Sequence, residues 1–310
     1  RILFPGVFLL SLFFIVTVGA GVLLAKSESQ AEVVTIVGLP SSSTEPTAQL
    51  LEDLAKLLES ESGYTVNSFV AACAGSAVDA LATGEATASF LPANAYVVAH
   101  DRFGVKVKLV AVRFGYPNIR GQFMVRTDSG INDLAGLAGL NFAFTEIGSI
   151  SGYILPALYI QKTQGKTPAD FFAEVVFTEG HADVGRAVYE GTFKGTTIQG
   201  GASFDDVRNL LVGEYPDIFT QVKVVAHTDF YPNDTVSMAP GLDMTVEQTL
   251  TDAFLAVAAT PEGQSILASL YGIEAFQITN DSAYDIVRDA NALTGYDLKP
   301  CGQAYLPFVQ

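Results

Sequence analysis

From residue 33 onward, short runs of β-branched and apolar residues alternate with longer stretches whose apolar positions recur at helical spacing. VVTIVGL at 33–39 is apolar or β-branched almost throughout, which predicts a buried strand. TAQLLEDLAKLLES at 47–60 has apolar residues at 50, 51, 54, 57 and 58, one stripe of a helix, and Gly63 is the residue type that closes one. The same pattern predicts strands at 64–71, 86–91, 105–113, 122–126, 141–145, 173–177, 195–200 and 222–227. Helices are expected at 76–83, 93–102, 131–137, 151–164 and 181–190, then near 245–259, 261–270 and 281–293. Strands interleaved with helices of about 10–15 residues predict an α/β architecture of parallel sheets covered by helices on both faces.

Ahead of this body, residues 2–25 (ILFPGVFLLSLFFIVTVGAGVLLA) hold no charged residue. A run of about 20 apolar residues is long enough to cross a bilayer. A cleaved signal peptide would use the small residues Val18-Gly19-Ala20, whereas continuation of the apolar run through Val22, Leu23 and Leu24 favours a retained helix. The expectation is a transmembrane anchor or signal at 1–26, a polar linker at 27–32 and a body outside the cytoplasm.

Charge narrows the partners. With 17 Lys+Arg against 33 Asp+Glu the net charge is −16, and no basic cluster interrupts it, so nucleic acid is repelled. Any anion site must therefore rest on local dipoles and hydrogen bonds. No G-x-G-x-x-G follows the first strand, and G-x-x-x-x-G-K-S/T, a nucleophile elbow and metal-ligand spacing are all missing from the sequence. With only three histidines as well, no enzyme, cofactor or metal is expected. Cys73 and Cys301 form no C-x-x-C, and sequence leaves open whether they approach closely enough for a disulfide in an oxidising compartment.

Two helix starts carry candidate chemistry. Gly148-Ser149-Ile150-Ser151-Gly152 lies between a predicted strand and helix, where free N–H groups and the macrodipole favour an anion. Ser149 and Ser151 add hydroxyls, and Gly152 permits close approach to the backbone; plain serine capping is the competing reading. His181 opens the next helix after Glu179-Gly180, as an anion donor or as a solvated histidine. Ser41, Ser42 and Ser43 occupy the first strand-to-helix loop.

Several stretches, in order, resemble the phosphonate/phosphite/phosphate-binding (PhnD-like) family of ABC-transporter substrate-binding proteins. They are 90–96 (FLPANAY) with His100-Asp101, 125–131 (VRTDSGI), 142–144 (FAF) leading to 149–156 (SISGYILP), and 176–181 (VFTEGH). Gly201-Ala202-Ser203-Phe204-Asp205-Asp206, Tyr231-Pro232-Asn233-Asp234, Thr260-Pro261-Glu262-Gly263 and Leu270-Tyr271-Gly272-Ile273 complete the series, which spans about 33–297. The resemblance implies a two-lobed type II periplasmic-binding-protein fold. Its first lobe would combine 33–120 with 235–310, its second would be 121–234, and two crossing segments would form the hinge.

By the same resemblance, a small phosphorus oxyanion would meet Ser149, Ser151, Gly152, Tyr153, His181, Tyr96, Asp205 and Ser42, and would be delivered to an ABC permease. Tyr96 would line the cleft from the first lobe, with a packed tyrosine as the alternative; Asp205 would accept a ligand proton or pair with an amine. His100 and His227 read as structural, and Asp206 as a helix cap. Three departures from the family pattern, Ile150 between the serines, Cys73-Ala74 in place of an aspartate–tyrosine pair, and Gln199 in place of an acid, imply an altered pocket. They support a second expectation, a membrane-anchored structural or sensory subunit that keeps the fold.

Overall fold

The computed structural model describes residues 32–41, 46–299 and 301. The apolar run at 2–25 and the serines Ser42 and Ser43 lie outside the described residues. Among the described residues no helix is long and apolar enough to cross a membrane.

The chain begins with β1 (Val33–Gly38), α1 (Thr47–Ser62), β2 (Thr65–Val70), α2 (Ala74–Thr83), β3 (Ala88–Leu91), α3 (Ala93–Phe103) and β4 (Lys106–Val112). It crosses through β5 (Asn118–Ile119) to β6 (Gly121–Arg126), β7 (Asn141–Phe144), α4 (Leu155–Gln164), α5 (Pro168–Phe171), β8 (Glu174–Phe177) and α6 (His181–Glu190). A small hairpin, β9 (Thr192–Phe193) with β10 (Thr196–Thr197), leads to β11 (Gly200–Phe204), α7 (Ile218–Gln221) and β12 (Val222–His227). The chain crosses back through β13 (Tyr231–Pro232) to β14 (Thr235–Met238), α8 (Met244–Ala259), α9 (Pro261–Tyr271), β15 (Ala275–Ile278) and α10 (Asp285–Thr294).

Two separate sheets result, in the orders β15-β4-β14-β3-β1-β2 and β12-β6-β11-β7-β8. β1 runs parallel to β2 and β3, and β7 parallel to β8 and β11. The expectation of parallel sheets is corrected at three strands: β14 is antiparallel to β3 and β4, β15 to β4, and β6 to β11 and β12. The crossings explain β6 and β14. Each is the first strand after a crossing and enters its sheet at the edge where its neighbours end, so that Gly121 pairs with Phe204 and Thr235 with Leu91. The two crossing segments pair with each other through β5 and β13.

The helical stripe of α1 buries Leu50, Leu51, Leu54 and Leu58 against a core shared with Phe90, Phe254 and Phe276. Each fully buried leucine contributes about 1.5–3 kcal/mol. In the second sheet Phe123, Phe142, Phe144 and Phe172 form an aromatic core, with Phe142 and Phe172 stacked at 4.2 Å. A third cluster spans both bodies: Ile150, Ile154, Leu155 and Leu158 pack with Val97, Tyr284 and Val287.

Local departures have local causes. Of the helix expected at 131–137 only a 3-10 turn, Ala135–Leu137, forms, and another 3-10 turn, Thr127–Ser129, precedes it. Gly130 takes a left-handed φ of 74°, and Asp133 accepts from the Gly136 N–H at 2.9 Å, a turn that competes with helix. The strand expected at 195–200 is broken by the β9–β10 hairpin and resumes at Gly200. The helix expected from 151 opens as a π-turn, Ile150–Ile154, before α4. Cys73 and Cys301 are joined in a disulfide with Cα atoms 5.6 Å apart, tying the segment after α10 to the start of α2.

Candidate functional site

Because β7, β8 and β11 run parallel, their C-terminal ends lie side by side and deliver three loops to one edge of the second sheet. After β7 comes the Gly148–Gly152 turn; after β8, Thr178 to His181; at the end of β11, Ser203 and Phe204. Ser149 caps its own helix, its Oγ accepting from the Gly152 N–H at 3.2 Å. The same Oγ lies 3.5 Å from His181 Nε2, so the two helix starts face one another. α6 has no side-chain cap, since Gly180 stands at its N-cap. Its first amides therefore lack the usual internal partner.

His181 is held from behind. Its Nδ1 lies 2.8 Å from Ser203 Oγ, and its ring meets Phe204 edge-on at 4.9 Å. Burial penalises the imidazolium and pushes the group down from its ordinary range to about 4. The ring is thus neutral at pH 7, with one N–H. When the Ser203 hydroxyl donates to Nδ1, the proton sits on Nε2 and points toward Ser149 and the crevice. Hydroxyl, imidazole N–H and helix amides form a donor set with no formal charge, suited to an oxyanion. Among the described residues no cluster has the makeup of a metal site.

The remaining expected residues separate. Ser151 is buried; its carbonyl lies so close to the crossing strand that a Cβ on Gly121 would stand 2.5 Å away, and its side chain neighbours the Tyr231 hydroxyl. Gly152 is needed for packing inside the protein: a Cβ there would stand 1.9 Å from Thr145 Oγ1. Tyr153 packs against Phe144 and Phe177 at 5.2 and 5.1 Å, and burial pushes its phenol up.

Tyr96 corrects the expectation that it lines the cleft. It is 0 % exposed, donates its O–H to Asp281 Oδ1 at 2.8 Å, and packs on Tyr284 at 4.9 Å. The apolar positions on both sides of α3 draw the ring into the core, as the alternative reading of a packed tyrosine had it. Asp205 is paired already, accepting from Arg120 Nε at 2.7 Å with His227 Nε2 at 3.4 Å. The carboxylate therefore presents no uncompensated charge to an anion. Asp206 caps the turn that follows it, accepting from the Arg208 N–H at 3.1 Å. His100 contacts the Val105 carbonyl and Asp281.

Three residues that the sequence reading passed over stand beside the candidate site. Ser203 orients His181. Asn94, at the start of α3, donates to the Gly148 carbonyl at 3.0 Å and joins the first body to the serine turn. Thr145, fully buried beside Gly152, has an Oγ1 without a hydrogen-bond partner. Ser203 and Asn94 had a sequence signal, their places in the Gly-Ala-Ser-Phe-Asp stretch and in FLPANAY at 90–96; Thr145 had none.

Fold and site together define a two-lobed α/β binding protein. The chain belongs to the family described as ABC transporter, phosphonate, periplasmic substrate-binding protein, which it matches over residues 36–284. It is 26% identical over 174 residues to the phosphate-import protein PhnD of Mycolicibacterium smegmatis, covering 53% of this chain and 54% of that protein. It is 24% identical over 238 residues to the phosphonates-binding periplasmic protein of Escherichia coli, covering 74% of this chain and 66% of that protein. The chain thus spans about half to two thirds of these relatives' length. Among solved structures, PhnD1 of Prochlorococcus marinus in complex with methylphosphonate shares the fold at a TM-score of 0.62 and 16% identity, covering 85% of this chain and 98% of that one.

Proposed function

We propose that this chain binds a small phosphorus oxyanion (a phosphonate, phosphite or phosphate) at the rim that Ser149 and His181 form together and passes it to an ABC permease on the extracytoplasmic face. The observation that carries the reading is the approach of Ser149 Oγ to His181 Nε2, 3.5 Å across two converging helix starts. Helix amides and hydroxyls supply hydrogen bonds to phosphoryl oxygens without added charge, as an acidic chain requires. The mycobacterial relative imports phosphate, the E. coli relative binds phosphonates, and the Prochlorococcus structure holds methylphosphonate. On this reading the lobes, 33–120 with 235–310 and 121–234, move about the paired crossing segments, and residues 2–25 tether the body to the membrane.

Titration calorimetry with phosphate, phosphite, methylphosphonate and 2-aminoethylphosphonate tests it. At least one is expected to bind, and Ser149→Ala and His181→Gln are each expected to weaken it about tenfold, the worth of one good hydrogen bond to an anion. Absence of binding with all four compounds overturns the reading.

A further inference from the structure

Beside the crevice, between the crossing segments and the end of β11, lies a cavity of about 560 Å³. Its wall is unlike the donor-lined crevice. Phe114 and Tyr116 line it from the first crossing, Phe230 from the second, and Leu210 from the second lobe. All four are more than half exposed, at 76 %, 68 %, 58 % and 61 %. Large apolar side chains left in water around one concavity mark a place that an apolar group fills.

The backbone holds one of these rings out deliberately. Phe114 has a φ of 52°, a left-handed conformation that a bulky residue adopts only under constraint. The constraint is Glu274, whose two carboxylate oxygens accept from the N–H groups of Phe114 and Gly115 at 3.0 and 2.8 Å. Opposite, the Arg120 guanidinium lies 4.9 Å over the Phe230 ring while its Nε donates to Asp205, so these two charges of the wall are matched to each other. The cavity and the crevice share Phe204, which lines the former and meets the His181 ring in the latter.

We infer that this cavity is a second pocket of the binding cleft, holding a large apolar substituent, aryl or extended alkyl, on the phosphorus of the ligand. The inference rests on the oxyanion reading above and names its substrate class: organophosphonates with a bulky apolar group, favoured over methylphosphonate and inorganic phosphate. The head group is held at Ser149 and His181; the organic group passes Phe204 and displaces water from Phe114, Tyr116, Phe230 and Leu210.

The test compares methylphosphonate, phenylphosphonate and octylphosphonate by calorimetry on the wild-type chain and on Phe230→Ala and Leu210→Ala. These variants are exposed positions on different elements, and circular dichroism melts verify that each folds. The wild type is expected to bind phenyl- or octylphosphonate at least about tenfold more tightly than methylphosphonate, the effect of burying a ring or chain. In both variants that ratio is expected to fall toward one. Equal affinity for the three compounds in the wild type overturns the inference and leaves the oxyanion reading standing; binding of none overturns both. A bulky-ligand preference that both variants retain also overturns it. Variants that instead lose association with a membrane permease assign the rings to protein docking.

Discussion

Ser203 and His181 stand 22 positions apart and meet with 2.8 Å between Oγ and Nδ1. Ser203 is fully buried at the end of β11 and has no access to a ligand. When its hydroxyl donates to Nδ1, the imidazole proton sits on Nε2 and a donor is aimed at the crevice. The predictions below follow from this contact and from the packing around it.

Ser203→Ala removes the group that orients the ring. Affinity for the oxyanion that binds most tightly is expected to fall by about five- to tenfold, or roughly 1–1.5 kcal/mol. The imidazole remains but loses its tautomer control. Calorimetry on the variant checks this; an unchanged dissociation constant removes Ser203 from the mechanism.

The depressed value of His181 makes stability depend on pH. The unfolded chain takes up a proton near 6.5 and the folded chain only near 4, so the unfolded state binds more protons between these values. Stability is therefore expected to decline as pH falls from about 6.5 toward about 4, by up to about 3 kcal/mol from this group. Urea unfolding of ligand-free wild type and His181→Gln at pH 7 and pH 5 measures it. The variant should lose less stability over that interval than the wild type; parallel losses contradict the assignment.

Gly152 and Gly180 open the two facing helices, yet their substitutions should diverge. Gly152→Ala drives a methyl into Thr145 and is expected to cost about 1–3 kcal/mol, the usual effect of overpacking. Gly180→Ala meets nothing within 4 Å and has an extended φ of −178°, so its change should stay within about 0.5 kcal/mol. Paired thermal melts decide whether the serine turn is as tightly built as the structure shows.

The Cys73–Cys301 link closes a sequence separation of 228 residues. Reduction, or the double change Cys73→Ser with Cys301→Ser, is expected to lower stability by roughly 2–4 kcal/mol through freedom restored to the unfolded chain. Urea titrations with and without dithiothreitol should show the loss in the wild type and not in the double variant.

Elements were legible where local pattern and burial agree. The leucine stripe of α1 and the β-branched run of β1 each declare a buried face, because side-chain period and solvent exclusion act within a few residues. β14 shows the opposite case. Thr235 and Ser237 sit buried at the centre of the first sheet, their hydroxyls 2.6 Å apart and that of Thr235 donating to the Leu91 carbonyl of the neighbouring strand, so they read as polar although both are core positions. β15, with Gln277 and an exposed Ile278, is an edge strand that only its pairing with β4 reveals.

The order of apolar and polar residues determined an alternating α/β chain, its helix starts at Ser149 and His181, its acidic surface and its likeness to a binding-protein family. Tertiary structure decided which residues meet: that Ser203 stands behind His181, that Tyr96 turns into the core onto Asp281, that Asp205 is neutralised by Arg120, and that Cys73 reaches Cys301. The reason is physical. Periodicity and capping are set by neighbours along the chain, whereas hydrogen-bond partners and charge compensation are set by strand order, which brings together residues that no local pattern connects.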